Sequence, residues 1–210
     1  TIGSIAMVGN LTPEGLLQKS QSGVTMAEGI KAIGGNPDHI QSCIRYKGDL
    51  HAWLELHIEQ GGILESENLK IGVVEGIVGL RHWIVTLEGF ANHAGTTPMN
   101  RRQDALLAAS KFIIAVNEVV NSVEGNQVGT VGKMALQPGA YNVIPGKVVL
   151  GLEIRDLSDD KIDMILAQIE KRAAIIANES KVKIIFELEA NASKPALTNK
   201  VLQQAIFNAS

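Results

Sequence analysis

The run KVVLGLEIRD at Lys147–Asp156 places apolar side chains in an alternating pattern. The apolar residues at its even-numbered positions are Val148, Leu150, Leu152 and Ile154. Glu153 and Arg155 fall on the opposite side of an extended chain, because successive side chains of a strand point to opposite faces. Such alternation is typical of a strand with one face on a core. If helices cover the apolar face, Arg155 stands on the open face of the sheet.

The segments around this run alternate in the same way or follow the period of a helix. Apolar residues alternate from residue 82 onward at Trp83, Val85 and Leu87. The other predicted elements are strands at residues 127–136 and 181–189 and helices at residues 101–122 and 159–178. Ser158 suits the N-cap of the second helix, and Asn100 and Gln103 are spaced as a capping box for the first. The order strand, helix, strand, strand, helix, strand is the split β-α-β motif of ferredoxin-like domains.

The remaining residues predict parts of a second domain. Residues 1–50 read as short helices joined by turns, and residues 202–206 also have helical spacing. Residues 52–61, AWLELHIEQG, alternate apolar and polar side chains and end in glycine, which predicts a strand whose last residues emerge at a sheet edge. Residues 71–78 predict another strand. We therefore expect an α/β fold in which a ferredoxin-like domain is inserted between two segments of another domain.

The composition excludes several classes of protein. With 210 residues, of which 45% are hydrophobic and 20% charged, the chain can bury a core and is not disordered. A net charge of −3 without a basic stripe argues against nucleic-acid binding. The single cysteine, Cys43, fits a reducing compartment, so we expect a cytoplasmic protein, and no run of apolar residues predicts a membrane helix. The first residues lack a signal peptide, and we expect an internal piece of a longer protein.

Two histidines occupy positions that suit chemistry. His57 lies near the end of the strand predicted at residues 52–61, where α/β folds bind ligands, and imidazole is a common metal ligand. The alternative is a core histidine that is hydrogen-bonded to a backbone carbonyl. His93 lies in the loop ANHAGTTPM, residues 91–99, whose small residues let a ligand approach the backbone. The alternative is a polar turn whose histidine faces water.

Two further polar residues are candidates for substrate binding. Asn142 lies in the turn YNVIPG, residues 141–146, which its side chain could simply stabilise. Arg155 on an open sheet face suits a two-pronged grip on a carboxylate, whereas its neighbour Asp156 offers a surface ion pair as the alternative. The glycines at residues 72, 76 and 79 lack the spacing of a nucleotide-binding loop.

Several motifs, taken in order, resemble the amidohydrolase branch of the M20 metallopeptidase family. They are HIEQG at residues 57–61, GVVEGIVG at residues 72–79, NHAGTTPM at residues 92–99, NVIP at residues 142–145 and EIRD at residues 153–156. This branch includes allantoate and ureidoglycolate amidohydrolases, N-carbamoyl-L-amino-acid hydrolases and β-ureidopropionases. The resemblance extends over essentially the whole chain, and it implies part of a di-metal α/β hydrolase catalytic domain with an inserted ferredoxin-like lid and dimerisation domain.

The resemblance also implies roles for individual residues. His57 matches a ligand of one ion in a site for two divalent ions, zinc or manganese, and Gln60 matches a polar contact to the substrate. His93 resembles the lid histidine that reaches the active site of the partner subunit in a homodimer and stabilises the oxyanion. Asn142 and Arg155 match the lid residues that hold the carboxylate of the substrate. By weaker analogy, Arg81 at the start of the lid also touches the substrate.

The remaining ligands of the family have no counterpart in this chain. They are the His-x-Asp motif, the bridging aspartate, the paired glutamates and the final histidine, which we expect upstream of residue 1 or downstream of Ser210. The predicted division is residues 1–80 and 191–210 for the catalytic domain and residues 81–190 for the lid. The implied reaction is hydrolysis of a ureido or carbamoyl acid, with allantoate as the first expectation and an N-carbamoyl-L-amino acid as the alternative. A non-catalytic dimerisation module and a ferredoxin-like regulatory domain are the other hypotheses.

Overall fold

The computed structural model describes residues 2–190 and 192–210, which form two compact units. The first unit extends to Gly62, and the second comprises Ile63–Ser210. The predicted functional division of the chain at residues 80 and 190 stays a prediction.

Short helices make up the regular structure of the first unit. They are α1 at Ile2–Met7, α2 at Pro13–Leu16, α3 at Met26–Ala32 and a 3-10 helix at Pro37–Cys43. Thr25 caps α3, because its hydroxyl accepts from the backbone N–H of Glu28 while the Glu28 carboxylate accepts from the N–H of Thr25. The helical pieces predicted for residues 1–50 are thereby confirmed.

The strand predicted at residues 52–61 is wrong for this structure. The segment has no regular secondary structure and is exposed along its whole length, with Leu56 and Ile58 at 96% and 77% exposure. Alternation favours a strand only when another strand satisfies its backbone groups and a core covers its apolar face. Within the described residues, no strand pairs with this segment.

A four-stranded antiparallel sheet forms the centre of the second unit. Its strands are β2 at Gly79–Glu88, β4 at Val128–Gln137, β6 at Lys147–Asp156 and β7 at Lys183–Leu188, in the spatial order β4-β6-β2-β7. Helix α5 at Ala105–Ser122 joins β2 to β4, and helix α6 at Asp159–Ser180 joins β6 to β7. These elements confirm the predicted split β-α-β order.

Both helices cover one face of this sheet. The largest side chains that are completely buried there include Leu87, Phe112, Leu150, Leu152, Ile154, Ile165 and Ile169. The even-numbered residues of β6 are buried and its odd-numbered residues are partly exposed, as the alternation predicts. Helix α5 is long and apolar enough to cross a membrane, but eight of its residues are buried, and they belong to this core.

The predicted N-cap of α6 is confirmed, whereas the predicted N-cap of α5 is wrong. Ser158 caps α6 by accepting a hydrogen bond from the backbone N–H of Lys161, as predicted. The capping box of Asn100 and Gln103 is wrong, because α5 begins at Ala105 and is capped by Asp104, whose Oδ1 accepts from the first free N–H groups of the helix. The preceding Met99–Arg101 forms a 3-10 turn instead.

Short elements complete the second unit. Helix α4 at Ile63–Ser66 opens it and α7 at Lys200–Ala209 closes it, and β3 at Asn92–His93 pairs with β5 at Val143–Ile144. The strand predicted at residues 71–78 shortens to β1 at Gly76–Ile77, which pairs with β8 at Ala196–Leu197. Of residues 71–78, Gly76 and Ile77 alone pair with another strand among the described residues. The chain therefore enters and leaves the four-stranded sheet along paired segments.

Candidate active-site residues

His93 and Asn142 are brought together by backbone pairing. In the β3–β5 ladder His93 lies opposite Val143, and the N–H of Ala94 donates to the carbonyl of Asn142 at 2.9 Å. Backbone pairing therefore fixes His93 next to the segment that carries Asn142. The structure places these two sequence-predicted residues at one exposed rim of the second unit.

The ring of His93 has a defined protonation pattern. Its Nδ1 accepts a hydrogen bond from the backbone N–H of Gly95 at 3.0 Å, so a neutral ring carries its proton on Nε2. The Oδ1 of Asn92 accepts from the N–H of His93 at 2.8 Å, and the hydroxyl of Thr97 donates to the His93 carbonyl at 2.7 Å. Side chain and backbone are thus fixed by the loop itself, and the Nε2–H is presented as a donor.

Arg102 closes this loop, a role that the sequence reasoning missed. Its Nε donates to the carbonyl of Thr97 at 3.1 Å and its Nη2 to the carbonyl of Ala94 at 2.6 Å. The backbone of Phe90 also pairs with that of Gln103, so the two ends of the loop are joined. The sequence shows only that two arginines, Arg101 and Arg102, follow a loop of small residues whose carbonyls need donors, and it does not tell which of them closes the loop.

Arg155 lies on the open face of the sheet in contact with Glu153. Its Nε donates to Oε1 of Glu153 at 2.6 Å and its Nη2 donates to Oε2 at 2.9 Å. The Nε2 of His82, from the neighbouring strand, lies 2.6 Å from the same Oε2 and donates to it. Hydrogen bonding by Arg155, opposed by partial burial and aided by His82, lowers the pKa of Glu153. Bonding to Glu153 raises the pKa of Arg155 against the effect of burial.

Arg81 lies on the opposite, helix-covered side of the sheet. It shares the parity of the buried Trp83, and its guanidinium donates to Asp159 at 3.0 Å and to Asp163, both in the first turns of α6. Although desolvation is the largest single influence, these two carboxylates together raise the pKa of Arg81. The structure therefore does not bring Arg81 together with Arg155.

His57 and Gln60 lie in the first unit, in the exposed segment at residues 52–61. The Nδ1 of His57 lies 2.6 Å from the carbonyl of Ile58, and since a carbonyl can only accept, this nitrogen carries the proton. A neutral His57 thus presents a lone pair on Nε2, the opposite of His93. Metal-binding histidines characteristically donate their other N–H to such a carbonyl. Gln60 has a left-handed backbone conformation, with φ of 57°.

A metal centre is not complete among the residues that the structure describes. No group of three or more His, Cys, Asp or Glu side chains converges there in a way that could hold an ion. A site for two divalent ions needs several such ligands, and His57 could supply one of them. The described residues alone therefore do not fit the two ions that the resemblance implies.

Relatives with named activities match most of the chain. It is 41% identical over 204 residues to an N-carbamoyl-L-amino acid amidohydrolase of Geobacillus stearothermophilus, covering 97% of this chain and 49% of the relative. A ureidoglycolate hydrolase of Arabidopsis thaliana is 41% identical over 166 residues, 79% of this chain and 35% of the relative. An allantoate amidohydrolase of Escherichia coli is 38% identical over 154 residues, 73% of this chain and 37% of the relative. The chain spans about half, or less, of the length of these relatives.

Solved structures agree with these relatives. An amidase of the hydantoinase/carbamoylase family from Burkholderia multivorans superposes with a TM-score of 0.85 at 35% identity, covering 99% of this chain and 50% of that one. No family model matches the chain. The homologues are thus amidohydrolases whose names refer to ureido or carbamoyl acids, and the mixed α/β fold is shared with amidases of the hydantoinase/carbamoylase family.

Proposed function

We propose that this chain is part of an amidohydrolase that hydrolyses the ureido group of a carbamoyl acid. The observation that carries the proposal is that the three relatives described above are named for compounds that combine a ureido group with a carboxylate. Residues 81–190, within the second unit, would serve as a lid that holds the carboxylate, and residues 1–80 and 191–210 would belong to the catalytic domain.

The Arg155 guanidinium is the residue best suited to bind that carboxylate. It lies on the face of the sheet opposite α5 and α6, with 42% of its side chain exposed. Glu153 engages Nε and one hydrogen of Nη2, so the edge formed by Nη1 and Nη2 remains for a second acid. Asn142 would supply amide donors from the loop after β4.

His93 would stabilise the negative charge that develops on the ureido oxygen. When water adds to the carbonyl carbon, the oxygen becomes an oxyanion, and a preorganised donor lowers the energy of that state. The bond from Gly95 keeps the His93 proton on Nε2, which is the arrangement that this role requires. Arg102 and Thr97 hold the loop, so the donor does not have to be reoriented during the reaction.

Two divalent ions, zinc or manganese, are part of the proposal, although the described residues do not hold them. Such ions would activate the attacking water and polarise the carbonyl. His57, whose Nε2 lone pair is exposed, is the proposed ligand from this chain, and Gln60 would contact the substrate beside it. Since the relatives are about twice as long as this chain, the other ligands would come from outside these 210 residues.

A homodimer with shared active sites completes the proposal. Apolar side chains that flank the His93 loop are exposed, as expected of a surface that a partner covers; they are Phe90, Met99 and Tyr141. Strand β4 is an edge of the sheet, and the backbone groups on its outer side, which no described strand pairs with, offer hydrogen bonds to a second copy. We propose this edge, which is longer than that of β7, as the contact between subunits.

The substrate is tested with the full-length enzyme, purified with manganese or zinc. N-carbamoyl-L-amino acids, ureidoglycolate and allantoate are each incubated with it, and ammonia release is measured. The resemblance favours allantoate, whereas the carbamoyl-amino-acid relative matches more of the chain, 204 residues against 154. Turnover of any of these acids supports the proposed function, and their kcat/KM values rank the substrates. Absence of turnover with all three, in a folded and metal-loaded enzyme, would contradict it.

A further inference from the structure

Glu153 engages one particular edge of the Arg155 guanidinium. A guanidinium offers two forks to a carboxylate: a side fork made of Nε–H and one Nη–H, and an end fork made of the two Nη groups. The two oxygens of Glu153 occupy the side fork, at 2.6 Å from Nε and 2.9 Å from Nη2. Glu153 therefore does not occupy the end fork.

His82 fixes the carboxylate from the other side. It lies directly opposite Glu153 in the β2–β6 ladder, and its Nε2 donates to Oε2 of Glu153 at 2.6 Å. Oε2 thus accepts from both His82 and Arg155, while Oε1 accepts from Arg155 alone. With three donors the carboxylate cannot rotate freely, and the plane of the guanidinium is set by the plane of Glu153.

We propose that Glu153, held by His82, is a positioning residue that turns the end fork of Arg155 toward the carboxylate of the substrate. This inference rests on the proposed function, since it presumes that the enzyme binds a carbamoyl acid. The positioning role explains why the Glu153 carboxylate lies beside Arg155, although Arg155 must also bind the carboxylate of the substrate. Without Glu153 the guanidinium would sample many orientations, and the substrate would bear the entropic cost of ordering it.

A role in folding alone does not account for this cluster. Its three residues lie on the face opposite the helices, with 32% of the His82 side chain, 26% of Glu153 and 42% of Arg155 exposed. The buried residues of the same strands point to the other face and form the core. Ion pairs at this degree of exposure contribute little to stability, because solvent screens them. The bidentate geometry is therefore more important for orientation than for stability.

The test compares three variants of the full-length enzyme on the carbamoyl acid that it hydrolyses. Glu153→Gln has a single carbonyl oxygen and brings an N–H₂ group toward the guanidinium, so it cannot fill the side fork. We expect KM to rise about tenfold while kcat stays within about twofold, because the ground state and the transition state lose the same contact to the carboxylate. Glu153→Asp keeps both oxygens on a shorter side chain and should restore part of the affinity. Glu187→Gln makes the same charge change at an exposed site on β7 and should leave KM unaltered.

A second measurement reads the orientation without turnover. The Nε–H of Arg155, identified by its loss in Arg155→Lys, should exchange slowly with water in the ligand-free enzyme and rapidly in Glu153→Gln. Slow exchange together with the KM shift supports the proposal. If the wild type hydrolyses the acid but Glu153→Gln keeps its KM within twofold, or if the Nε–H exchange rate is the same in both proteins, Glu153 does not position Arg155. A folded wild type that hydrolyses no carbamoyl acid would instead overturn the proposed function, and this role with it.

Discussion

The backbone N–H of Gly95 donates to Nδ1 of His93 at 3.0 Å, and a side chain at residue 95 would crowd that ring. A Cβ at residue 95 would lie 3.0 Å from Cε1 of His93, closer than side chains normally approach. The small residue thus has two functions, because it supplies the donor that sets the tautomer and also lets the ring lie against the loop. His57 has the opposite pattern, with Nδ1 donating to a carbonyl and Nε2 free of a proton when neutral.

The first prediction concerns Gly95→Ala in the full-length enzyme. The added methyl would push the imidazole away from its position, so we expect kcat to fall by about tenfold or more with a small change in KM, as for loss of an oxyanion donor. Gly29→Ala in α3 is the control, because a Cβ there would meet no atom within 4 Å and the residue is not part of the proposed site or subunit contact. Steady-state kinetics of both variants decide the matter, and equal kcat values would contradict the role given to His93.

The second prediction separates the two arginines of the sheet. Arg155→Lys keeps the charge but loses the fork that matches a carboxylate, so kcat/KM should fall by at least about tenfold with an unchanged melting temperature. Arg81→Lys should do the reverse, with a free energy of unfolding lower by about 1 kcal/mol because two carboxylates of α6 lose their shared partner. Its KM should stay within about twofold of wild type. A large rise in KM for Arg81→Lys would instead support the substrate contact that the resemblance assigned to it.

The third prediction follows from the lowered pKa of Glu153. A carboxyl whose pKa is lower in the folded protein stabilises the fold fully above its unfolded pKa, and this contribution is lost as pH falls through the folded value. The difference in free energy of unfolding between wild type and Glu153→Gln should therefore be constant near neutral pH and shrink as the pH falls below about 4.3, the ordinary pKa of a glutamate. Urea denaturation at several pH values measures it, with Glu187→Gln as the reference that lacks the bonded partner. A difference that does not vary with pH would show that Glu153 is not held as its carboxylate.

The fourth prediction concerns the 210-residue chain by itself. Since no group of three ligands converges within its described part, we expect neither stoichiometric binding of Mn²⁺ or Zn²⁺ nor hydrolysis of a carbamoyl acid. Metal content after dialysis and ammonia release measure the two properties, with the full-length enzyme as the positive control. Clear turnover by the chain alone would overturn the view that ligands lie outside it.

The sheet and its helices were predictable because their pattern is satisfied within the second unit. The buried apolar residues of β6 belong to one core with residues of α5, α6 and β2, so alternation in the sequence corresponds to burial in the structure. The segment around His57 has the same alternation, but among the described residues no strand pairs with it and no core covers it. Local pattern predicts secondary structure only where the tertiary partners are present.

For the site residues, the sheet face on which a side chain lies could be predicted from the sequence, whereas its hydrogen-bond partners could not. Arg155 was placed on the open face from the sequence because its parity is opposite to that of the buried residues of β6. Arg81 has the parity of Trp83, so its position on the helix side could also have been predicted, although the resemblance pointed elsewhere. By contrast, the bonds of Arg102 to two loop carbonyls and of His82 to Glu153 depend on loop closure and strand register. Neither can be read from spacing along the chain.

The last prediction tests whether His93 acts across the interface of a homodimer. Two full-length variants, His93→Ala and His57→Ala, are each expected to be nearly inactive as homodimers. If His93 serves the partner's site, a mixed dimer has one site with both lesions and one site with none. If it serves the site of its own subunit, each site of the mixed dimer carries one lesion, and neither recovers.

When the two variants are mixed and exchange subunits, activity should therefore return. Each heterodimer that forms should have up to half the activity of a wild-type dimer. Differently tagged subunits allow the heterodimer to be purified and its fraction to be measured, so that low activity is not mistaken for failed exchange. A mixture of His93→Ala with a second preparation of His93→Ala is the control, because it forms dimers with no intact site by either route. Two-fold symmetric dimers place both copies of a loop at equivalent positions, so one intact site per heterodimer is the symmetry-determined outcome. Purified heterodimers without activity would mean that His93 does not reach across, and the shared-site mechanism would be wrong.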